Sequence, residues 1–188
     1  MSDEREESYL QWLVRTTPTT WWHDSGDPDE LDRGLLHGAS GVTTNPLLSA
    51  RAWAAKPDYF RARLAPLPPG ISAEERGDLL MQPVVADAAA KLAHIHRQTR
   101  GAEGYACAQV NPGRAGDRDA MLKMARFHHT WADNIAVKLP VTAAGLDVLE
   151  ECVAEGITVT ATVSFTVPQA IAVAERHRRG AARARSAD

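Results

Sequence analysis

Cysteine is nearly absent from this chain: Cys107 and Cys152 are its only two in 188 residues, and no metal-type spacing joins them. That excludes a disulfide scaffold and a cysteine zinc site, and it fits a reducing compartment with buried thiols, so a cytoplasmic location is expected. Long apolar runs are missing too. No stretch approaches the ~20 residues a membrane span requires. The opening segment, Met1 to Val14, is acidic and has no basic region of the kind that starts a secretory signal, so no targeting segment is expected. A charge excess of one sign is also lacking, with 21 Lys+Arg against 24 Asp+Glu. Neither nucleic acid nor an anionic membrane is therefore an expected partner, and any anion must be held by a local site. The Arg-rich end, from Arg176, carries no aromatic residue to stack on bases. No internal repeat or low-complexity segment is present.

What the chain does have is an alternation of helical and strand periods. Length argues for a single domain over residues 1–188. Residues 4–15, within an N-terminal segment 1–18, pattern as a short amphipathic helix through Tyr9, Leu10, Leu13 and Val14. Thr19 to His23 reads as a strand, followed by a turn and a helix over 29–37 that has Asp27 as N-cap and Pro28 in its first position. Ser40 to Thr44 is a second strand, closed by Asn45-Pro46.

From 47 to 100 the pattern is helical, but Pro57, Pro66, Pro68, Pro69 and Gly70 divide it into two or three helices. Ser72 three residues before Glu75 predicts a capping box opening the last of these. Three further strands then begin near residues 105, 134 and 157, with helices over 116–131, 142–155 and 167–179. One helix between each pair of strands is the spacing of right-handed crossovers and a parallel sheet, so the fold class is α/β. The segment 177–188 has no apolar period and is expected to be disordered.

Lys138 is the most informative residue, because it ends the apolar run Ile135-Ala136-Val137, at the strand end where parallel α/β folds place their chemistry. One reading is a lysine that extends its ammonium to solvent. The other is an amine withdrawn from water, which loses its charge more readily and becomes a nucleophile towards carbonyls. Asp24 closes the first strand. Since Asp27 suits the capping of the next helix, Asp24 is available for acid/base work. Asn45, Gln109 and Thr162 are polar residues in or just after the second, third and fifth strands. Each alone is ordinarily a satisfied hydrogen-bonding group. Together with Lys138 and Asp24 they converge on one end of one sheet.

Gly41-Val42-Thr43-Thr44-Asn45-Pro46, Ala108-Gln109-Val110, Val137-Lys138-Leu139-Pro140-Val141-Thr142 and Glu155-Gly156-Ile157 resemble, in residues, order and spacing, the transaldolase and fructose-6-phosphate aldolase family. The resemblance covers roughly residues 19–175, with a gap over the 50–100 connection. It implies a TIM-barrel-like (β/α) fold and a class I aldolase with no metal and no organic cofactor, acting on a sugar phosphate in the pentose phosphate part of carbohydrate metabolism. By the same resemblance Lys138 forms a Schiff base with the ketose carbonyl, and Asp24 takes and returns a proton. Asn45, with Thr44 and Ser164, contacts substrate, and Gln109 and Thr162 hold the water of imine formation and hydrolysis. Gln109 leans towards the aldolase branch, since transaldolases usually carry glutamate there, whereas the long 47–100 connection leans towards the larger transaldolases.

About five of the eight βα units are expected, because the family continues with three more where this chain reaches Arg178-Arg179-Gly180. The expectation is of a C-terminally shortened family member, whose phosphate-binding serine and arginine are not assignable. Its barrel is completed by a second chain or a homo-oligomer, or it is a catalytically inactive fragment or interaction module.

Overall fold

The structure, a computed structural model, describes residues 7–187; the parts of the expected N-terminal helix and tail that fall on residues 1–6 and 188 lie outside the described residues. Five strands, β1 (Trp22–Asp24), β2 (Gly41–Thr43), β3 (Ala106–Gln109), β4 (Ile135–Pro140) and β5 (Val159–Thr162), form one sheet in chain order. Every neighbouring pair is parallel. The helices are α1 (Tyr9–Thr16), α2 (Pro28–Leu36), α3 (Pro46–Ala55), α4 (Pro57–Arg61), α5 (Ala73–Gln98), α6 (Arg118–His129), α7 (Ala143–Ala154) and α8 (Val167–Ala187). This is the expected α/β architecture, a curled part-barrel of five βα units.

The helix starts follow from local chemistry. Asp27 accepts from the amides of Asp29 and Glu30 at the head of α2. Ser72 and Glu75 close a reciprocal capping box on α5. A second capping box, Ser8 with Gln11, opens α1. The 47–100 connection resolves into three helices, and the expected break falls at Pro57, which starts α4. In α7, a β-carbon on Gly145 would stand 1.9 Å from the Pro140 carbonyl oxygen, so the helix can lie this close on the end of β4 only with glycine there.

Strand alternation sorts the side chains. Ala106, Ala108 and Val110 of the β3 segment and Ile135, Val137 and Leu139 of β4 are fully buried against Met81, Val85, Ala89 and Leu92 of α5, Met121 and Ala125 of α6, and Val148 and Leu149 of α7. Cys107, Gln109, Ala136 and Lys138 take the opposite, concave face. The sheet is curled enough that Cys107 Sγ, on β3, comes within 3.4 Å of Thr160 Oγ1 on β5, across the small side chain of Ala136. Asn134, 4% exposed, donates from Nδ2 to the carbonyls of Ala89 and Gly104 and so ties the entry of β4 to α5. Cys107 and Cys152 are free and buried. Burial pushes both thiols up, Cys152 to about 12, so neither is poised as a nucleophile.

The tail departs from expectation. Residues 177–187, expected to be disordered, continue α8 to Ala187. Two contacts explain this. Gly180 is buried against α7, where a β-carbon would meet the Glu150 carbonyl oxygen at 2.5 Å, so the two helices touch backbone to backbone. Around it Arg176 pairs with Asp147 and Glu150, Arg179 with Glu150, and Arg183 with Glu150 and Glu151. The arginines that gave the segment a disordered composition are the groups that fasten it.

Candidate active site

Strand register defines the concave face. Asp24 pairs with Thr43, Val42 with Ala106, Gln109 with Lys138, and Lys138 with Thr160. Side chains at paired positions project from the same side of a sheet, so Asp24, Thr43, Cys107, Gln109, Lys138, Thr160 and Thr162 share one surface. Cys107 marks how near they stand, since its thiol, on β3, lies 3.4 Å from the Thr160 hydroxyl on β5. Gln109 and Lys138 form the layer above Cys107, and Thr162, opposite Pro140, stands one layer above Thr160.

Lys138 is partly buried between Gln109 and Thr160. The chain's other lysines are all paired with carboxylates: Lys56 with Asp29, Lys91 with Asp32 and Lys123 with Glu75. Lys138 enters none of the described ion pairs, and its neighbours in register on either strand, Gln109 and Thr160, are neutral. Asp24 is exposed at the end of β1 and accepts a 2.7 Å hydrogen bond from the Thr43 hydroxyl, which sets the plane of the carboxylate. Beneath it lies the indole of Trp22, which crosses the adjacent strand at Gly41. A β-carbon there would meet the ring at 2.5 Å.

Sequence reasoning missed Thr43 and chose its neighbour. Thr44 is fully buried, and its hydroxyl donates to the Cys107 carbonyl oxygen at 2.7 Å, pinning the end of β2 to β3. It does not reach the concave face. Two adjacent threonines look alike in a sequence, and only the pairing of Asp24 with position 43 decides which one is turned inward. Trp22 could have been found by the period of two that separates it from Asp24. Asn45 caps α3, its Oδ1 accepting from the Leu48 amide at 2.9 Å, which leaves its amide nitrogen as the group free to donate. Ser164 is exposed beyond β5, just after a bend at Val163, whose φ of 55° is strained for a β-branched residue. The structure thus gathers Asp24, Gln109, Lys138 and Thr162 on one face, sets Asn45 at its rim, and leaves Thr44 outside it.

Chemically, this is an amine flanked in register by neutral residues, with a carboxylate on the same concave face. No group of three or more His, Cys, Asp or Glu residues able to hold a metal occurs among the described residues. Among them, too, no helix is long and apolar enough to cross a membrane.

Comparison with known proteins agrees with the motif reading. The Transaldolase/Fructose-6-phosphate aldolase family profile matches residues 21–185. A transaldolase of Thiobacillus denitrificans is 32% identical over 167 residues, covering 85% of this chain and 46% of the relative. A transaldolase of an Arthrobacter species is 30% identical over 174 residues, covering 84% and 47%. A transaldolase of Neisseria gonorrhoeae is 30% identical over 156 residues, covering 82% and 44%. The chain spans about half the length of the curated relatives it matches.

Proposed function

The chain belongs to the transaldolase/fructose-6-phosphate aldolase family, and from that premise we propose that it is a class I aldolase in which Lys138 forms a Schiff base with a ketose phosphate. The amine of Lys138 adds to the ketose carbonyl and water leaves, giving an iminium ion. Asp24 takes the proton of the hydroxyl next to the bond to be broken. That bond's electron pair passes into the iminium, and an aldehyde departs. The enamine of a dihydroxyacetone unit remains on Lys138. Attack on a second aldehyde, with Asp24 returning the proton, completes a transfer; protonation and hydrolysis complete a cleavage. Thr43 keeps the Asp24 carboxylate aimed, Gln109 and Thr162 orient the water of imine formation and hydrolysis, and the free amide hydrogens of Asn45 contact a substrate hydroxyl. Ser164, exposed just beyond β5, contacts the substrate in this reading.

One observation carries the reading. Lys138 is the lysine that enters none of the described ion pairs, and it sits beside Gln109 on the concave face that also carries Asp24. A lysine held in a salt bridge has its amine occupied by the carboxylate; one outside any described ion pair presents its amine to a substrate.

The test is borohydride reduction of the chain with fructose 6-phosphate or dihydroxyacetone, followed by peptide mass spectrometry. Stable addition of the reduced ketose at Lys138, lost in Lys138→Ala, is expected. No adduct at millimolar substrate, or an adduct at another lysine, rules the reading out and leaves a fold whose role is to bind rather than to catalyse. Release of free aldehyde without an acceptor distinguishes the cleaving enzyme from the transferring one.

A further inference from the structure

The connection between β2 and β3 builds a second concavity, separate from the lysine row. A cleft of about 600 Å³ opens between the start of α3, the first turns of α5 and the segment after β3, and it touches the concave site only at Gln109. Pro46, Trp53 and Met81 contribute apolar walls, and the Trp53 indole is held by its bond to the Leu80 carbonyl at 2.6 Å. Its charged lining residues, Glu74 and Asp78, are both acidic.

The two carboxylates are not equivalent. Glu74 is neutralised by a forked bond from Arg114 at 2.8 to 3.2 Å and a further bond from Asn111, which together hold its carboxyl down at about 2. Asp78 pairs with no arginine or lysine among the described residues. Among the described ion pairs its one basic neighbour is His128, with Nε2 at 3.3 Å. Ser49, in the same wall, is 3% exposed, and its hydroxyl has no hydrogen-bond partner in the protein, the kind of polar atom that a ligand completes. A carboxylate whose one basic neighbour is a histidine, together with an indole and apolar walls, forms a site for positive charge on an apolar body. Phosphates and carboxylates find no basic residue in the lining.

We propose that this cleft is a second ligand site, taking a small organic cation: an apolar body that carries a primary ammonium. The ammonium pairs with Asp78 and the apolar part lies against Trp53 and Met81. The inference does not depend on the Schiff-base reading, because Lys138 takes no part in it.

The test titrates the full chain with 2-phenylethylammonium, with 2-phenylethanol as its neutral counterpart and phenylacetate as its anionic one, by calorimetry or NMR. The ammonium compound is expected to bind about tenfold more tightly than the alcohol, as an unshared charge-assisted hydrogen bond implies. Asp78→Asn should erase that difference. Gly77, on α5 in the cleft wall, has nothing within 4 Å of the place a β-carbon would take. Gly77→Leu therefore projects a side chain into the cleft without a clash, and should weaken binding of both compounds while the circular dichroism stays helical and the thermal midpoint does not fall. Equal affinity for ammonium and alcohol, preference for phenylacetate, or undiminished binding to Gly77→Leu would each overturn the proposal.

Discussion

The middle and the far edge of the sheet are built from similar residues and end up in different physical states. In β3 and β4 the outward residues, from Ala106 and Ala108 to Ile135, Val137 and Leu139, are essentially without solvent contact, because α5, α6 and α7 cover that face. Every residue of β5 is only partly buried. Just beyond it Val163, Phe165, Val167 and Ile171 are exposed, Phe165 at 84%. The helix that follows is secured chiefly by α7, through close backbone contact at Gly180 and a set of arginine–carboxylate pairs. Apolar content alone does not decide burial; a strand is buried when both neighbouring strands and the covering helices are present to exclude water. The site straddles this divide. Gln109 and Lys138 stand on the packed strands, whereas Thr162 and Ser164 belong to the edge.

The largest effect is expected in the middle. Leu92, wholly buried in α5 against the sheet, should cost about 2–5 kcal/mol as Leu92→Ala by urea denaturation, from lost burial and a cavity the packed strands cannot close. A loss below about 1 kcal/mol would mean that the centre is no better packed than the edge.

A smaller and local effect is expected from Gly180→Val. The new side chain meets the α7 backbone and should destabilise by about 1–3 kcal/mol, as overpacking does. Hydrogen exchange should speed up over 167–187 and leave β3 and β4 unaffected. Equal acceleration in the central strands would show that the two regions unfold as one.

On the central side, Glu74 joins α5 to the segment after β3 through Arg114. Its carboxyl is held at about 2 against an ordinary 4.5, so it remains charged in the folded protein at pH values where the unfolded chain would protonate it. The stabilisation is present in full above pH 4.5 and disappears as pH falls towards 2. Thermal midpoints of the native protein and Arg114→Ala should therefore differ at neutral pH and converge over that window. A constant gap would assign the arginine a packing role instead.

The smallest effect is expected at the edge itself. Phe165→Ser should change stability by no more than about 0.5 kcal/mol, since the ring is already in water. A larger loss would mean that something covers Phe165 in solution.

Local chemistry made much of this fold legible. The caps at Asp27 and Ser72, the proline break at Pro57 and the alternating apolar residues around Lys138 act within a few residues of chain, so they can be seen without a structure. The Arg-rich tail is not legible as a helix in the sequence because its partners, Asp147, Glu150 and Glu151, lie about 30 residues earlier on another helix; a composition that looks unfoldable alone becomes helical once those charges are opposite it. The cleft at Asp78 is likewise a tertiary product, since it exists only where α3 and α5 meet the end of β3.

The sequence by itself determined the α/β alternation, the family and the candidacy of Lys138, because periodicity and motif are properties of neighbouring residues. The tertiary structure alone decided which of Thr43 and Thr44 faces Asp24, which lysine lacks a carboxylate, and which strand is buried. Those depend on register and on what the adjacent strand or helix supplies, and pairing between distant segments is not written in either segment alone.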